Sequence, residues 1–368
     1  MRYEDDPRVV LTLDAGGTTF GFSAIQGGRE AAPPVVLPAQ PHDLERCLDT
    51  LVEGFQRVMD GAPAAPVALS FAFPGPADFA RGIIGDCANL PAFRGGVALG
   101  PFLQDRFGLP VFINNDGDLF AYGEALAGLL PETNRFLEEA GSPARYRNLL
   151  GVTFGTGFGA GLVHDGRPYL GDNGGGMEIW ALRSKRFPHS PVEEFVSIRG
   201  VRRAYAEAAR IPFDSAPEPK LIAAIARNET QGDGSAAIEA FRAFGEEAGN
   251  ALANAVTLLD TLVVIGGGLS AAHRLFMPAL LGEMNSHLAS PAGKRTNRTG
   301  IRAFDLDDPA GRATFIKGEG TRVKVPRSNR EVPYDPFKRT GVGVSRLGTV
   351  LAVGVGAYAY ALDHLDRA

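Results

Sequence analysis

The sequence predicts an α/β protein built as two lobes around a central cleft. Strand-like runs alternate with helical ones, and a strand, glycine turn, strand unit occurs twice, about 140 residues apart, as in a duplicated lobe. The length of 368 residues exceeds one ordinary core.

Residues 9–13 (VVLTL) form an apolar run closed by Asp14-Ala15-Gly16-Gly17, and 19–25 alternates as the return strand. A helical pattern covers 42 to about 59. The apolar strand 67–73 is stopped by Pro74-Gly75-Pro76, and the strand 111–114 runs into a helix from about 118 to 129. The second hairpin comprises 149–154, the turn Gly155-Thr156-Gly157 and 159–163. Helices are expected at about 192–209, 220–226 and 236–259. The strand 262–265 leads through Gly266-Gly267-Gly268 into a helix over 270–287, and the last helix covers 347–364. One lobe is read as 1–125 plus about 350–368, the other as 126–349. Within the latter, about 290–345 is rich in Gly, Pro and basic residues. It reads as an insertion carrying a small hairpin or partly mobile, with no catalytic role.

Composition excludes several classes. With 45% hydrophobic residues, 21% charged residues and a mean hydropathy of -0.03, the chain is neither disordered nor fibrous. Residues 350–362, the longest nearly uncharged run near the end, fall short of the ~20 apolar residues that span a bilayer. The opening MRYEDDPR is charged where a signal peptide would be apolar. The chain is therefore read as cytoplasmic, without a membrane partner. Two cysteines, Cys47 and Cys87, cannot build a disulfide framework or a cysteine zinc site. A net charge of -5 argues against nucleic acid, although 291–346 holds 13 Lys and Arg against 6 Asp and Glu.

The glycine turns are read as phosphate loops. Glycine lets backbone N–H groups approach a phosphate closely, and Thr18 and Thr19 add hydroxyl donors beside Gly16 and Gly17. Asp14, at the end of a buried strand, is placed to meet hydrated magnesium. An ordinary tight turn with a capping Asp is the simpler reading of this loop alone. The second loop, Gly155-Thr156-Gly157-Phe158-Gly159-Ala160-Gly161, puts four glycines in seven positions, which backbone approach or tight packing explains. It runs into strand-like sequence where a dinucleotide fingerprint would open a helix. The third loop, Gly266-Gly267-Gly268, follows a strand and opens a helix, as a surface for a nucleotide base or sugar would.

The order of these loops resembles the sugar kinase and actin-like ATPase (ribonuclease H-like) superfamily, and their details resemble the ROK family of sugar kinases and sugar-responsive repressors. The resemblance implies that the first two loops clamp the phosphates of ATP from opposite lobes, with Mg2+, and that Gly266-Gly267-Gly268 is the adenosine turn. It also implies a homodimer.

Phosphoryl transfer to a sugar needs an aligning or basic group at the acceptor oxygen and partners for the other hydroxyls. Asn114-Asn115-Asp116 ends a strand and begins a helix, so one of the three is accounted for as an N-cap. By the resemblance Asp116 is the general base and Asn115 binds sugar hydroxyls. Gly75, in Phe73-Pro74-Gly75-Pro76, and Asn89, in Asn89-Leu90-Pro91, resemble the family's sugar loops; a strand-ending turn is the plainer reading of each. Where ROK proteins carry Glu-x-Gly-His and then a cysteine-rich zinc motif, this chain has Glu178-Ile179-Trp180-Ala181 and no cysteine over 182–191. Zinc needs about four sulfur or nitrogen ligands, so no zinc site is expected. Glu178 is retained, and Val192-Glu193-Glu194-Phe195-Val196-Ser197 resembles the family's second sugar-binding segment, placing Glu193 on its Glu, with Glu194 as a neighbour that a one-position error would bring in.

The expected function is ATP-dependent phosphorylation of a hexose or related sugar. The alternative is a catalytically idle sugar-binding or sensing protein. A repressor is disfavoured, because 13 residues before Asp14 are too few for a helix-turn-helix reader.

Overall fold

The computed structural model describes residues 3–87 and 90–367. The chain divides into two compact units, Met1–Gly128 with Gly161–Gly176 and Leu347–Ala368, and Leu129–Ala160 with Met177–Arg346. The Gly161–Gly176 segment thus falls in the first unit and outside the part of the 126–349 span that forms the second. No helix among the described residues is long and apolar enough to cross a membrane.

In the first unit the strand Val9–Ala15 pairs antiparallel with Thr19–Gln26, with Ala15 opposite Phe20, and parallel with Pro66–Ala72, which pairs parallel with Val111–Asn114. The short strands Arg29–Glu30 and Val35–Pro38 both add to Thr19–Gln26. One face is covered by the helix Leu44–Gly61, whose first turn is capped by Asp43 accepting from the Arg46 amide at 3.1 Å. Phe20, Phe22, Phe55, Phe71, Phe73 and Phe93 fill the space, several meeting edge to face. The other face packs the helices Asp116–Ala127 and Thr349–Leu365. These two helices approach so closely that a Cβ on Gly123 would lie 2.0 Å from the Ala352 carbonyl oxygen and one on Gly356 2.0 Å from that of Leu119. Ser70 ties this helix to the sheet by donating to the Ala357 carbonyl at 2.7 Å.

In the second unit Leu262–Gly266 lies between Leu149–Phe154 and Arg339–Val344, all parallel, with Arg302–Asp305 beyond. The helix Gly234–Leu259 packs on Ile198–Ala209 and on His273–Met284, around Phe154, Phe158, Phe244 and Phe276.

Two sequence expectations change. The stretch 290–345 is not simply an insertion, since Arg302–Asp305 and Arg339–Val344 are strands of this sheet and Pro309–Lys317 is a helix. Its real excursions are two hairpins, His287–Ala289 with Arg295–Asn297 and Thr321–Lys324 with Glu331–Tyr334. Some of its basic charge is neutralised inside the unit: Arg339 pairs with Asp335 at 2.6 Å, and Arg346 with Glu132 and Asp307 at 2.5 Å. The expected helix 192–209 also divides, into a 3-10 turn Val192–Glu194 and the helix Ile198–Ala209. Ser197 separates them by donating to the Glu193 carbonyl at 2.7 Å and capping the new helix.

Candidate active site

Parallel strands bring their C-terminal ends to one edge, and in the first unit three candidate loops emerge there. Asp14 is in register with Ala72, and Ala72 with Asn114. A cavity of about 860 Å3 opens at that edge, lined by Asp14, Gly16, Gly17, Gly75 and Asp116, together with Leu347–Leu351 at the start of the C-terminal helix. Thr18 and Thr19 are exposed but do not line it. The first turn is closed by the Gly16 amide donating to the Thr19 carbonyl at 3.0 Å; a Cβ on Gly16 would sit 2.8 Å from that oxygen.

The loop bearing Gly75 is held by the Phe73 amide donating to the Asn114 carbonyl at 3.0 Å and by the Cys87 thiol donating to the Pro74 carbonyl at 3.0 Å. Burial pushes that thiol up to about 11. Asn89 lies outside the described residues.

Asn115 is the N-cap of Asp116–Ala127, its Oδ1 accepting from the Gly117 amide at 2.8 Å, which leaves its Nδ2 to donate outward. Asp116 Oδ1 accepts from the same amide at 2.9 Å. Asp116 is exposed where it lines the cavity, in a concave part of the surface whose surrounding protein atoms partly desolvate it. That desolvation pushes its pKa up; the Gly117 amide opposes the shift, and the like charge of Asp14 adds to it. Asn114, beside them, is buried with Nδ2 unpaired.

In the second unit, register places Gly266 beside Thr153, so the turns Gly155–Gly157 and Gly266–Gly268 follow adjacent parallel strands. Gly267 has φ +80° and passes so close to Phe154 that a Cβ would lie 2.3 Å from its carbonyl oxygen. Gly268 opens a 3-10 turn, and the α-helix begins only at His273, later than the sequence suggested. Thr156 is exposed at the tip of its turn.

The four glycines of 155–161 have different uses. A Cβ on Gly157 would meet Glu193 Oε2 at 2.7 Å, and one on Gly159 Thr153 Oγ1 at 2.6 Å. On Gly161, within the first unit, it would meet the Gly117 carbonyl oxygen at 2.4 Å. Only Gly155 faces open space within 4 Å.

Glu193 lies beneath that turn, Oε2 accepting from the Phe158 amide at 3.0 Å and Oε1 from Arg199 at 2.9 Å. Glu194 is held by Arg199 and Arg203, which keep its carboxyl below the usual range. Glu178 is exposed and accepts from the indole N–H of Trp180. Its turn is joined to that of Glu193 by the Val192 amide donating to the Leu182 carbonyl at 2.7 Å.

The loop between these turns does not fit zinc. It offers no cysteine, His189 is exposed, and no cluster of three or more metal-binding side chains occurs among the described residues. Buried Glu247 organises it instead, accepting from Ser184 Oγ at 3.1 Å and from the Lys185 and Arg186 amides at 3.0 Å each. Sequence reading missed Glu247, which stands some 60 residues away in a long helix and reads as a solvated acid.

Residues 10–312 match the ROK family. The chain belongs to the ROK family. Among solved ROK-related structures, a glucokinase from Parabacteroides distasonis is 56% identical, with TM-score 0.90, over 99% of this chain and 100% of that one. A ROK hexokinase from Thermus thermophilus, 22% identical, shares the fold at TM-score 0.68 over 96% and 99%. An N-acetyl-D-glucosamine kinase from Photobacterium profundum is 27% identical over 298 residues, 76% of this chain and 90% of that protein. The fold is the actin-like ATPase fold of ROK sugar kinases.

Proposed function

We propose that this protein transfers the γ-phosphoryl group of ATP to a hydroxyl of a hexose or related sugar. The observation that carries this reading is the single cavity faced by Asp14, the Gly16–Gly17 turn and Asp116, which puts amide donors for phosphate and a proton-accepting carboxylate side by side. The names of the relatives, glucokinase and N-acetyl-D-glucosamine kinase, support a gluco-configured sugar.

In this reading the backbone amides at Gly16–Gly17 and Gly155–Gly157 hold the phosphates, and Gly266–Gly268 takes the adenosine. Asp116 orients the attacking hydroxyl and accepts its proton, a task suited to a carboxyl whose pKa lies above the ordinary range. Asn115 Nδ2 and the Glu178 carboxylate meet the other hydroxyls. Glu193 retains acceptor lone pairs beyond its two bonds for the same use.

The Asp14 carboxylate at this cavity suits a magnesium ion held mostly through water and phosphate oxygens, with Asp14 as its nearest protein group. When bound, the ion neutralises phosphate charge.

An ADP-coupled assay over glucose, mannose, fructose, allose and the N-acetylhexosamines tests the reading. ATP-dependent turnover of at least one is expected; sugar binding without turnover of any would favour the idle sensor.

A further inference from the structure

We propose that Trp180 is a substrate-recognition residue whose indole face carries the ring of a hexopyranose. This rests on the sugar-kinase reading and adds the ring face by which the sugar is recognised. Trp180 is the only tryptophan of the chain, and 43% of it is exposed, although a large aromatic ring gains from burial.

The ring is not loosely placed. Its N–H donates to the Glu178 carboxylate, and the 3-10 turn Ile179–Ala181 is anchored by buried Ile179. That turn packs on Val192–Glu194, whose Glu193 braces the second glycine hairpin. An exposed indole is thus bonded to the Glu178 carboxylate on a turn that packs against the one bracing a candidate phosphate loop.

A pyranose presents C–H groups on its faces and hydroxyls around its edge. An aromatic face suits the first and a carboxylate the second, so Trp180 and Glu178 together offer both surfaces. The next residue, Ala181, is small and exposed and brings no side-chain donor of its own. Because the hydrogen bond already orients the ring, little side-chain freedom is lost when a sugar settles on it.

The test uses the intact wild-type chain and two variants. Tryptophan emission is followed while glucose, N-acetylglucosamine or mannose is added without nucleotide, and kcat and KM are measured for wild type, Trp180→Phe and Trp180→Ala. A saturable emission change is expected with the sugar that is phosphorylated. The KM for that sugar should rise about tenfold in Trp180→Ala, as loss of a stacking contact implies, and by less than about threefold in Trp180→Phe, with kcat the less affected parameter. Turnover in the wild type with flat emission and an unchanged KM in Trp180→Ala would overturn the inference while leaving the kinase reading intact. A wild type that phosphorylates no sugar would remove both.

Discussion

Glu193 Oε2 lies 3.0 Å from the amide nitrogen of Phe158, so the carboxylate of one short turn fixes the glycine hairpin Gly155–Gly157 from below. Its other oxygen is held by Arg199 at 2.9 Å. Glu193→Ala leaves both donors without that partner and should lower unfolding stability by about 1–2 kcal/mol, read by urea denaturation. Gly157→Ala, which drives a Cβ against the same oxygen, should weaken ATP binding through the displaced turn. An unchanged KM for ATP in Gly157→Ala would contradict this bracing role.

The glycines of the second loop can be sorted by substitution. Gly161→Ala must displace backbone at Gly117 and Asp118, the first turn of the helix that begins with Asp116, and should cost roughly 2 kcal/mol or more along with activity. Gly155→Ala meets nothing within 4 Å and should change stability by less than about 1 kcal/mol, yet reduce turnover if phosphate approaches that amide. Thermal melts with kinetics on both proteins decide; full activity in Gly155→Ala would remove this turn from the phosphate site.

Loss of Glu247 takes the acceptor from the Ser184 hydroxyl and from two amides, so Glu247→Ala should lose about 3 kcal/mol. A zinc-selective chelator should leave the wild-type melting temperature unchanged. One equivalent of zinc in the purified protein would overturn this account of the loop.

Magnesium removal by EDTA should abolish turnover, and added Mg2+ should restore it. Asp14→Asn should raise the Mg2+ concentration for half-maximal rate by about tenfold, a change readable at saturating sugar and ATP. An unchanged magnesium requirement in Asp14→Asn would exclude Asp14 as the group nearest the ion.

Both glycine hairpins and Asn114-Asn115-Asp116 were legible in the sequence because their signals are local: apolar strands, turn residues and a cap within a few positions. The strand Arg339–Val344 was not, since Gly341 and Gly343 break its pattern. These glycines make room for Leu306 and Leu129, contacts only the fold reveals. Ser197 hid the division of a continuous helical pattern, because its cap looks like any polar helix residue. The indole bond from Trp180 to Glu178 had no sequence precedent, as the family pattern places Gly-His at 180 and 181.

The raised Asp116 pKa has a definite sign for pH dependence. A carboxyl that resists ionisation in the fold loses its function as base when pH falls through its raised pKa, so the acid limb of kcat/KM should lie above the ordinary Asp value of about 3.9. The same shift disfavours the folded state once pH exceeds the unfolded-state value. Asp116→Asn should therefore be no less stable than wild type at neutral pH. The most direct measurement is the turnover of Asp116→Asn under saturating ATP, Mg2+ and sugar: kcat should fall by about 10²–10⁴ with the melting temperature kept, whereas turnover within a few-fold of wild type would contradict the assignment of Asp116 as the base.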